Sequence, residues 1–180
     1  MRPLAERIRA VKLVIFDVDG VLTDGRIVLD DHGVESKFFD VRDGSGIKWL
    51  VRVGLDVAFL TGRQSHVVEV RAAELGVTRI HQGAKVKIDV YERLLNEAGL
   101  QDEAVAYAGD DLIDLPIMRR VGLALAPADA RPEVKAAAHY VCREGGGRGA
   151  VREIVELILK GQGFWEQVTA PYFSPGFSPG

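Results

Sequence analysis

The sequence predicts an α/β protein with three layers: a Rossmann-like parallel sheet with helices on both faces, and a small inserted β-hairpin. Short apolar runs alternate along the chain with amphipathic stretches of helical period, as in consecutive βαβ units. One segment, residues 26–40, interrupts this alternation with two short β-like runs. The chain has 180 residues, of which 47% are hydrophobic, so it is long enough to bury a core of its own.

Strands are predicted where an apolar run is short and is bounded by polar residues or glycine. The clearest runs are VKLVIF at 11–16, DVAFL at 56–60 and AVAYA at 104–108. Weaker candidates lie at 79–81, 123–126 and 140–142. We expect a parallel sheet because helical stretches separate the clear runs.

Helices are predicted where apolar residues recur at intervals of three and four. These stretches are 65–75, 87–98, 112–121 and 151–159. Three of them are followed by a glycine where a helix commonly ends, namely Gly76, Gly99 and Gly122.

The inserted segment follows the first strand and reads RIVLDDHGVESKFFD. Two β-like runs flank Asp31, His32 and Gly33, a sequence typical of a turn, so we predict a β-hairpin at about 26–40. A hairpin at this point lies over the carboxyl end of the sheet, where open α/β sheets bind ligands. We assign residues 1–160 to a single domain that includes the hairpin, and residues 161–180 to a C-terminal tail.

Composition argues against several classes of function. The formal net charge of −3 gives no attraction to nucleic acid or to an anionic membrane surface. No stretch approaches the roughly 20 apolar residues of a membrane-spanning helix, and the first ten residues lack the apolar core of a signal peptide. We interpret Cys142, the single cysteine, as a buried structural residue, which together with these features predicts a cytoplasmic protein.

The last 20 residues show no clear periodicity and end in a repeat of Phe-Ser-Pro-Gly. One interpretation is a loose tail, since chain ends are often poorly ordered. The other is an arm that docks on a neighbouring chain, because five aromatic side chains would be costly to leave in water. These are Phe164, Trp165, Tyr172, Phe173 and Phe177.

Two aspartates follow the first predicted strand. Asp17 and Asp19 stand two residues apart, with Gly20 directly after them. Because the carboxyl end of a parallel strand lies at the ligand-binding edge, the pair is a candidate site. Aspartates also commonly end strands and start turns, so the pair alone leaves both interpretations open.

Candidate phosphate-binding groups follow later in the chain. Thr61, Gly62 and Arg63 come directly after the strand at 56–60, where a hydroxyl and a backbone N–H can bind phosphoryl oxygens. Thr61 or a nearby residue could instead cap the following helix. Lys87 is the first residue of a predicted helix, where the helix dipole disfavours a cation. A lysine at this position therefore indicates a bound anion. Lys85 is a competing candidate, and either lysine could simply be solvated.

Three more carboxylates, Asp110, Asp111 and Asp114, follow the strand at 104–108. Crowded carboxylates repel one another, and a divalent cation relieves that repulsion. An acidic helix N-terminus is the alternative explanation. The joint occurrence of these groups at consecutive strand ends indicates a functional site more strongly than any one of them.

The order of the motifs DVDGVLTDG, TGR, lysine and GDDLID resembles the haloacid dehalogenase superfamily. The hairpin and the stretches VRDGSGIK at 41–48, QGAKVK at 82–87 and GGRGAVRE at 146–153 resemble its phosphatases of phosphorylated sugar acids, over roughly residues 10–160. The resemblance implies a hairpin flap instead of a full cap domain. It also implies Mg²⁺-dependent hydrolysis of 3-deoxy-D-manno-octulosonate 8-phosphate, a lipopolysaccharide precursor, through an aspartyl-phosphate intermediate.

The resemblance assigns catalytic roles to four residues. Asp17 is the nucleophile, and a carboxylate at this position can attack phosphorus in line. Asp19 protonates the leaving sugar oxygen and then deprotonates the attacking water. Thr61 and Lys87 hold phosphoryl oxygens.

The same resemblance assigns the Mg²⁺ ligands to Asp17, Asp110 and the backbone carbonyl of Asp19. Asp114 is expected behind these ligands, where it orients Lys87 or a metal-bound water. Asp111 is open between such a role and capping of the following helix.

Substrate binding is predicted partly from chemistry, since a sugar carboxylate favours arginine. Arg63 and Arg71 are eight residues apart, so one helix face could present both. The resemblance adds Arg42, Asp43, Gly44 and Lys48 to Thr61, Gly62 and Lys87 as substrate contacts. Arg71 and Lys48 could each be solvated helix charges, and Lys48 lacks the fork of a guanidinium. The resemblance also implies a homotetramer whose hairpins pack together, with Phe38 and Phe39 consistent with a hairpin interface.

Three alternatives remain open at this stage. The substrate could be a nine-carbon sialic-type acid 9-phosphate. The chain could be a signalling receiver domain, although in receivers the acidic pair precedes the phosphorylated aspartate, whereas here Asp17 precedes Asp19. It could also be a sugar-phosphate-binding protein without activity, although no essential position is missing.

Overall fold

The computed structural model describes residues 2–174 and is built around a six-stranded parallel sheet. The strands are β1 (Leu13–Phe16), β2 (Val28–Leu29), β3 (Glu35–Ser36), β4 (Asp56–Leu60), β5 (Arg79–His81), β6 (Val105–Ala108), β7 (Leu123–Ala126) and β8 (Tyr140–Val141). The large sheet has the order β5-β4-β1-β6-β7-β8, and every pairing within it is parallel. β1 is therefore central, with β4 and β6 on its two sides.

Helices cover both faces of the sheet. They are α1 (Leu4–Ala10), α2 (Val41–Arg52), α3 (His66–Leu75), α4 (Lys87–Ala98), α5 (Leu115–Met118), α6 (Pro132–Ala137), α7 (Ala150–Gln162) and α8 (Trp165–Thr169). Alternate side chains of a strand point to opposite faces. Val14 and Phe16 of β1 accordingly pack with α1, α2, α3 and α7, while Leu13 and Ile15 pack with α4, α5 and α6. The predicted three-layer architecture is confirmed.

Two of the three predicted glycine helix ends are confirmed, and one is wrong. α3 ends at Gly76 and α4 at Gly99, both in the left-handed conformation. The helix predicted at 112–121 is instead a 3₁₀ turn, Leu112–Asp114, followed by the short α5. Gly122 therefore does not end a helix. A glycine is needed there for a steric reason, because a Cβ would lie 2.3 Å from the Glu103 carbonyl oxygen.

The inserted hairpin is present but short. β2 and β3 pair antiparallel, with Leu29 opposite Glu35. The turn is closed by Asp30, whose backbone N–H donates to the Val34 carbonyl and whose side chain accepts the Val34 N–H at 2.8 Å. Gly33 in this turn has a φ of 76°. The hairpin leads directly into α2, whose first turn is capped by the Asp40 side chain.

The start of the predicted tail packs on the body of the same chain. α7 continues to Gln162, and α8 with a 3₁₀ turn at Ala170–Phe173 follows it. Trp165 meets Trp49 of α2 edge to face at 5.8 Å, and the Trp49 indole N–H donates to the Tyr172 hydroxyl at 3.2 Å. Docking on a neighbouring chain stays a prediction, and Phe177 lies outside the described residues.

Cys142 is buried beside β8, as the sequence predicted. Its thiol lies 3.7 Å from the Ala150 carbonyl oxygen, and burial raises its pKa to about 12. A thiol with such a pKa is a poor nucleophile at neutral pH. Between residues 2 and 174, no helix combines the length and the hydropathy that crossing a bilayer requires.

Candidate active site

The predicted site residues converge because three neighbouring strands end at one edge of the sheet. Asp17 follows β1, Thr61 follows β4, and Asp110 lies two residues beyond β6. The Asp17 backbone N–H still donates to Ala108 of β6 at 3.0 Å, and the Thr61 N–H donates to His81 of β5 at 2.9 Å. The sheet therefore fixes the backbone of the site before any side chain is considered.

The loop after β1 forms a single wide helical turn, Val18–Leu22, which orients the neighbouring aspartates. The Asp17 side chain accepts the Val18 N–H at 2.7 Å. Asp19 and Gly20 leave helical geometry within this turn, and Gly20 has a φ of 93°. A Cβ at Gly20 would lie 2.1 Å from Asp110 Oδ2. The glycine therefore provides both the positive φ and the space for Asp110 to approach the loop.

Lys87 is the first residue of α4 and lies buried at the centre of the site. Its ammonium is 2.8 Å from Asp17 Oδ2 and 2.7 Å from Asp114 Oδ1. The cation that the helix dipole disfavours is thus held by two carboxylates. Lys85, the competing candidate, is exposed on the preceding loop.

Asp114 is fully buried and joins Lys87 to the loop after β6. Its Oδ1 accepts the Tyr107 hydroxyl at 2.6 Å. Its Oδ2 accepts the backbone N–H groups of Asp110 at 3.0 Å and Asp111 at 3.1 Å. Both oxygens are therefore satisfied by the protein itself, which suits a group that orients others.

Burial and crowding raise the pKa values of two carboxyl groups of the site, Asp17 and Asp110. Burial raises the pKa of Asp17 to about 7, although Lys87 acts to lower it. The pKa of Asp110 also rises to about 7, through burial and then through the charges of Asp17 and Asp114. Burial and the same charges raise the pKa of Tyr107 well above its ordinary value, so this hydroxyl stays a donor.

These residues fit a hard divalent cation. Oxygen atoms of Asp17, Asp110 and Asp114 all lie within 4.8 Å of one another. Asp110 Oδ1 is buried without a hydrogen-bond partner within the described part of the chain. A buried carboxylate oxygen of this kind is costly unless a cation or donor meets it. Carboxylate oxygens are the ligands that Mg²⁺ prefers, so Asp17 and Asp110 are suitable ligands for it.

Thr61 is buried directly after β4, the strand next to the one that Asp17 follows. Its hydroxyl oxygen accepts the Arg63 N–H at 3.3 Å, which leaves its own proton to donate. Ser65, not Thr61, occupies the N-cap position of α3. Of the two forms of the helix-cap interpretation, Thr61 is therefore wrong and a nearby residue is right. Gly62 is exposed in the loop between these residues.

Two residues of the hairpin reach the site, and neither belongs to a motif that predicted it. The Lys37 ammonium forms an ion pair with Asp19 Oδ1 and lies 3.4 Å from Glu35 Oε1. Arg63 Nη2 donates to the same Glu35 oxygen at 2.9 Å. The signal was the spacing of Glu35 and Lys37, since residues two apart on a strand face the same side.

Comparison with known proteins decides the family. A model of haloacid dehalogenase-like hydrolases matches residues 68–154. The 3-deoxy-D-manno-octulosonate 8-phosphate phosphatase KdsC of Yersinia pestis is 49% identical over 164 residues, which cover 91% of this chain and 88% of that protein. The chain belongs to the KdsC family of haloacid dehalogenase-like hydrolases. The predicted class, a phosphoric monoester hydrolase of the haloacid dehalogenase type, is confirmed by this membership.

Solved structures agree with this membership over nearly the whole chain. The crystal structure of the Yersinia pestis phosphatase matches with a TM-score of 0.89 and 48% identity, covering 91% of this chain and 88% of that one. The phosphatase of Moraxella catarrhalis, crystallised with a magnesium ion, a phosphate ion and KDO, matches with a TM-score of 0.91. Its identity is 38%, and the match covers 93% of this chain and 97% of that one.

In this member of the KdsC family, the two arginines predicted to bind the substrate carboxylate contact different residues. Arg63 is bound to Glu35 of the hairpin. Arg71 forms an ion pair with Glu74 at 2.7 Å. Its side chain also packs against the backbone of Gly44, and a Cβ added to Gly44 would lie 2.1 Å from Arg71 Nη2. Gly44 is therefore needed to admit Arg71. A shared role of the arginines in substrate binding stays a prediction.

The other predicted substrate contacts lie in α2. Arg42 is exposed and pairs with Asp40 at 2.9 Å, and Lys48 is exposed further along the helix. Asp43 is buried and accepts the Arg152 N–H at 2.7 Å, in the first turn of α7. Burial raises the pKa of Asp43 to about 6. This geometry gives Asp43 a structural contact, and its role with substrate stays a prediction.

Asp111 lies at the edge of the acidic group, with its side chain exposed. It accepts the Leu112 N–H at 2.7 Å and forms a capping box with Asp114 for the 3₁₀ turn. Of the two roles open to it, the geometry supports capping. A direct role at the metal stays a prediction.

Proposed function

We propose that this chain hydrolyses 3-deoxy-D-manno-octulosonate 8-phosphate to 3-deoxy-D-manno-octulosonate and phosphate, in the supply of lipopolysaccharide precursors. The observation that carries the proposal is the convergence of Asp17, Lys87 and Asp110 at one edge of the sheet, with Asp19 beside them. It is supported by the relatives with this named activity and by the Moraxella catarrhalis protein that binds KDO and phosphate.

In the first half of the proposed reaction, an Asp17 oxygen attacks phosphorus. The bond from phosphorus to the sugar oxygen breaks, and Asp19 donates a proton to that oxygen. In the second half, Asp19 takes a proton from water as the water attacks phosphorus of the aspartyl phosphate. The bond between phosphorus and Asp17 breaks, which releases phosphate and restores both carboxyl groups.

The rest of the site binds charge. Asp17, Asp110 and the backbone carbonyl of Asp19 would hold Mg²⁺, which supplies positive charge against the phosphoryl oxygens when bound. The Thr61 hydroxyl and the Lys87 ammonium donate to the remaining phosphoryl oxygens. Asp114 holds Lys87 in place through the 2.7 Å ion pair.

We also propose that the protein is a cytoplasmic homotetramer. Apolar side chains of the hairpin are more than half exposed, and a second copy would bury them. They are Ile27, Leu29, Val34 and Phe38. Light scattering tests this part, since a monomer mass at micromolar concentration would contradict it.

The test of the activity is phosphate release from the eight-carbon acid 8-phosphate, compared with a nine-carbon sialic-type acid 9-phosphate and generic phosphate esters. Each is measured with Mg²⁺ and with EDTA, and Asp17→Asn serves as the inactive control. Fast Mg²⁺-dependent release from the eight-carbon acid alone supports the proposal. A preference for the nine-carbon acid would transfer the proposal to that substrate, and release from generic esters only would contradict the sugar assignment.

A further inference from the structure

We propose that Lys37 of the hairpin is a positioning residue for Asp19, so that the hairpin takes part in proton transfer and does not serve only as a cover. This inference rests on the phosphatase function proposed above. It concerns a lysine that lies outside all the motifs that identified the site.

The burial of Lys37 is the first observation. The hairpin is largely exposed, yet the Lys37 side chain is 1% exposed. A buried ammonium is costly unless carboxylates surround it. Lys37 has two such partners, Asp19 through Oδ1 and Glu35 at 3.4 Å. The side chain is therefore directed inward to the site and held there by charge.

The second observation is the setting of Asp19. Its backbone departs from helical geometry and is followed by Gly20, which has a φ of 93°. Lys37 fixes Oδ1, while Oδ2 lies 3.9 Å from Arg63 Nε, beyond hydrogen-bond distance. Lys37 thus anchors one oxygen and leaves the other to exchange a proton with the leaving group or with water.

Glu35 connects this contact to the loop after β4. One Glu35 oxygen lies 3.4 Å from Lys37 and accepts Arg63 at 2.9 Å. Lys37 and Glu35 of the hairpin therefore link Asp19, in the loop after β1, to Arg63, in the loop after β4, through alternating carboxylates and cations. The position of the hairpin and the position of the Asp19 side chain therefore depend on the same contacts.

The test compares two leaving groups in single turnover with enzyme in excess. A sugar alkoxide needs a proton as it leaves, whereas p-nitrophenolate leaves without one. We expect Lys37→Met to slow release of 3-deoxy-D-manno-octulosonate from its 8-phosphate by roughly 10- to 100-fold. Release of p-nitrophenol from p-nitrophenyl phosphate should slow less than about 3-fold. Lys37→Arg, which keeps a cation, should recover part of the loss, and Lys85→Met is the control at an exposed lysine near the site.

Two results would overturn the proposal. An equal slowing with both esters, or none with either, would show that Lys37 does not act through the proton donor. A rise in the enzyme concentration that gives half the maximal single-turnover rate, without a fall in that maximal rate, would make Lys37 a substrate contact instead. If the wild type does not cleave the sugar acid phosphate, the proposed substrate fails, and the comparison is run on whichever alkyl phosphate it does cleave. Thermal unfolding of each variant checks that the fold is retained.

Discussion

The Lys87 ammonium lies 2.7 Å from Asp114 Oδ1, and neither side chain is more than 1% exposed. This ion pair joins the first residue of α4 to the loop after β6, across the carboxyl end of the sheet. Because Asp114 also accepts the Tyr107 hydroxyl and two backbone N–H groups, the lysine is held on a fully bonded acceptor. The pair therefore fixes the position from which Lys87 reaches Asp17.

Replacing Asp114 by alanine should destabilise the protein strongly. The change leaves Lys87 with one carboxylate partner and removes the acceptor of a buried hydroxyl and of two N–H groups, so we expect a loss of about 3–5 kcal/mol in the free energy of unfolding. Urea denaturation measures it. Asp111→Ala removes only an exposed cap and should cost about 1 kcal/mol. Equal losses of unfolding free energy in the two variants would show that the buried Lys87–Asp114 pair contributes no more to stability than the exposed cap.

Asp17→Asn should abolish turnover and leave the fold intact. An amide cannot form the acyl phosphate, so phosphate release should fall by more than roughly 10³-fold. The fold should survive because Lys87 keeps its partner Asp114. Steady-state phosphate release and thermal unfolding are the measurements. Substantial activity in a well-folded variant would rule out the covalent mechanism.

The site residues that could be predicted from the sequence are those whose positions depend on the order of the strands in the sheet. Asp17, Thr61 and Asp110 each follow a strand, and parallel strands that are neighbours must bring their ends together. Lys37 and Tyr107 were missed for a physical reason. Lys37 reaches the site only because the hairpin folds over it, and Tyr107 looks in the sequence like an ordinary apolar residue of a strand.

Helix prediction failed where local side-chain hydrogen bonds determine the backbone conformation. The predicted helix at 112–121 is divided because the side chains of Asp111 and Asp114 bond nearby N–H groups and stabilise a tighter turn. The helix α2 carries two glycines in its first half, which obscured its periodicity. Those glycines are explained only by neighbours from other elements, as with Gly44 and Arg71.

Mg²⁺ should stabilise the wild-type protein against heat. A cation that binds the folded state near Asp17 and Asp110 relieves their repulsion, and at about 100 times Kd the gain is about 2.7 kcal/mol. We expect Tm to rise by several degrees on adding Mg²⁺ and to return after EDTA. The rise should be lost in Asp110→Asn and kept in Asp111→Asn. A full rise in Asp110→Asn would remove Asp110 from the metal site.

Deletion of residues 163–180 should leave the sheet intact but lower stability and alter substrate binding. The deleted arm covers Trp49 of α2 with Trp165 and Tyr172, so its loss exposes aromatic surface at a cost of about 1–3 kcal/mol. α2 also carries predicted substrate contacts, so we expect KM to rise. Phe173→Ala is the control, because that side chain is 84% exposed. Unchanged KM and stability after the deletion would make the arm dispensable.

Asp43 makes stability depend on pH in a definite direction. Burial raises its pKa from 3.8 to about 6, so between about pH 4 and 6 the folded state keeps a proton that the unfolded chain has released. The unfolded state then binds fewer protons, and the Asp43 contribution to stability falls as pH rises through this window and stays low above it. Two pKa units correspond to a cost of at most about 3 kcal/mol.

Asp43→Asn should remove this dependence, because a neutral amide oxygen can still accept the Arg152 N–H. The free energy of unfolding of the variant minus that of the wild type should therefore rise by about 1–3 kcal/mol between pH 4.5 and 7.5. Asp40→Asn is the matched control. Its pKa is lowered by the hydrogen bond from Arg42, so its window lies below pH 4 and the difference should stay flat over the same range. Urea denaturation at several pH values measures both, and a flat difference for Asp43→Asn would mean that the buried carboxyl is ionised without cost.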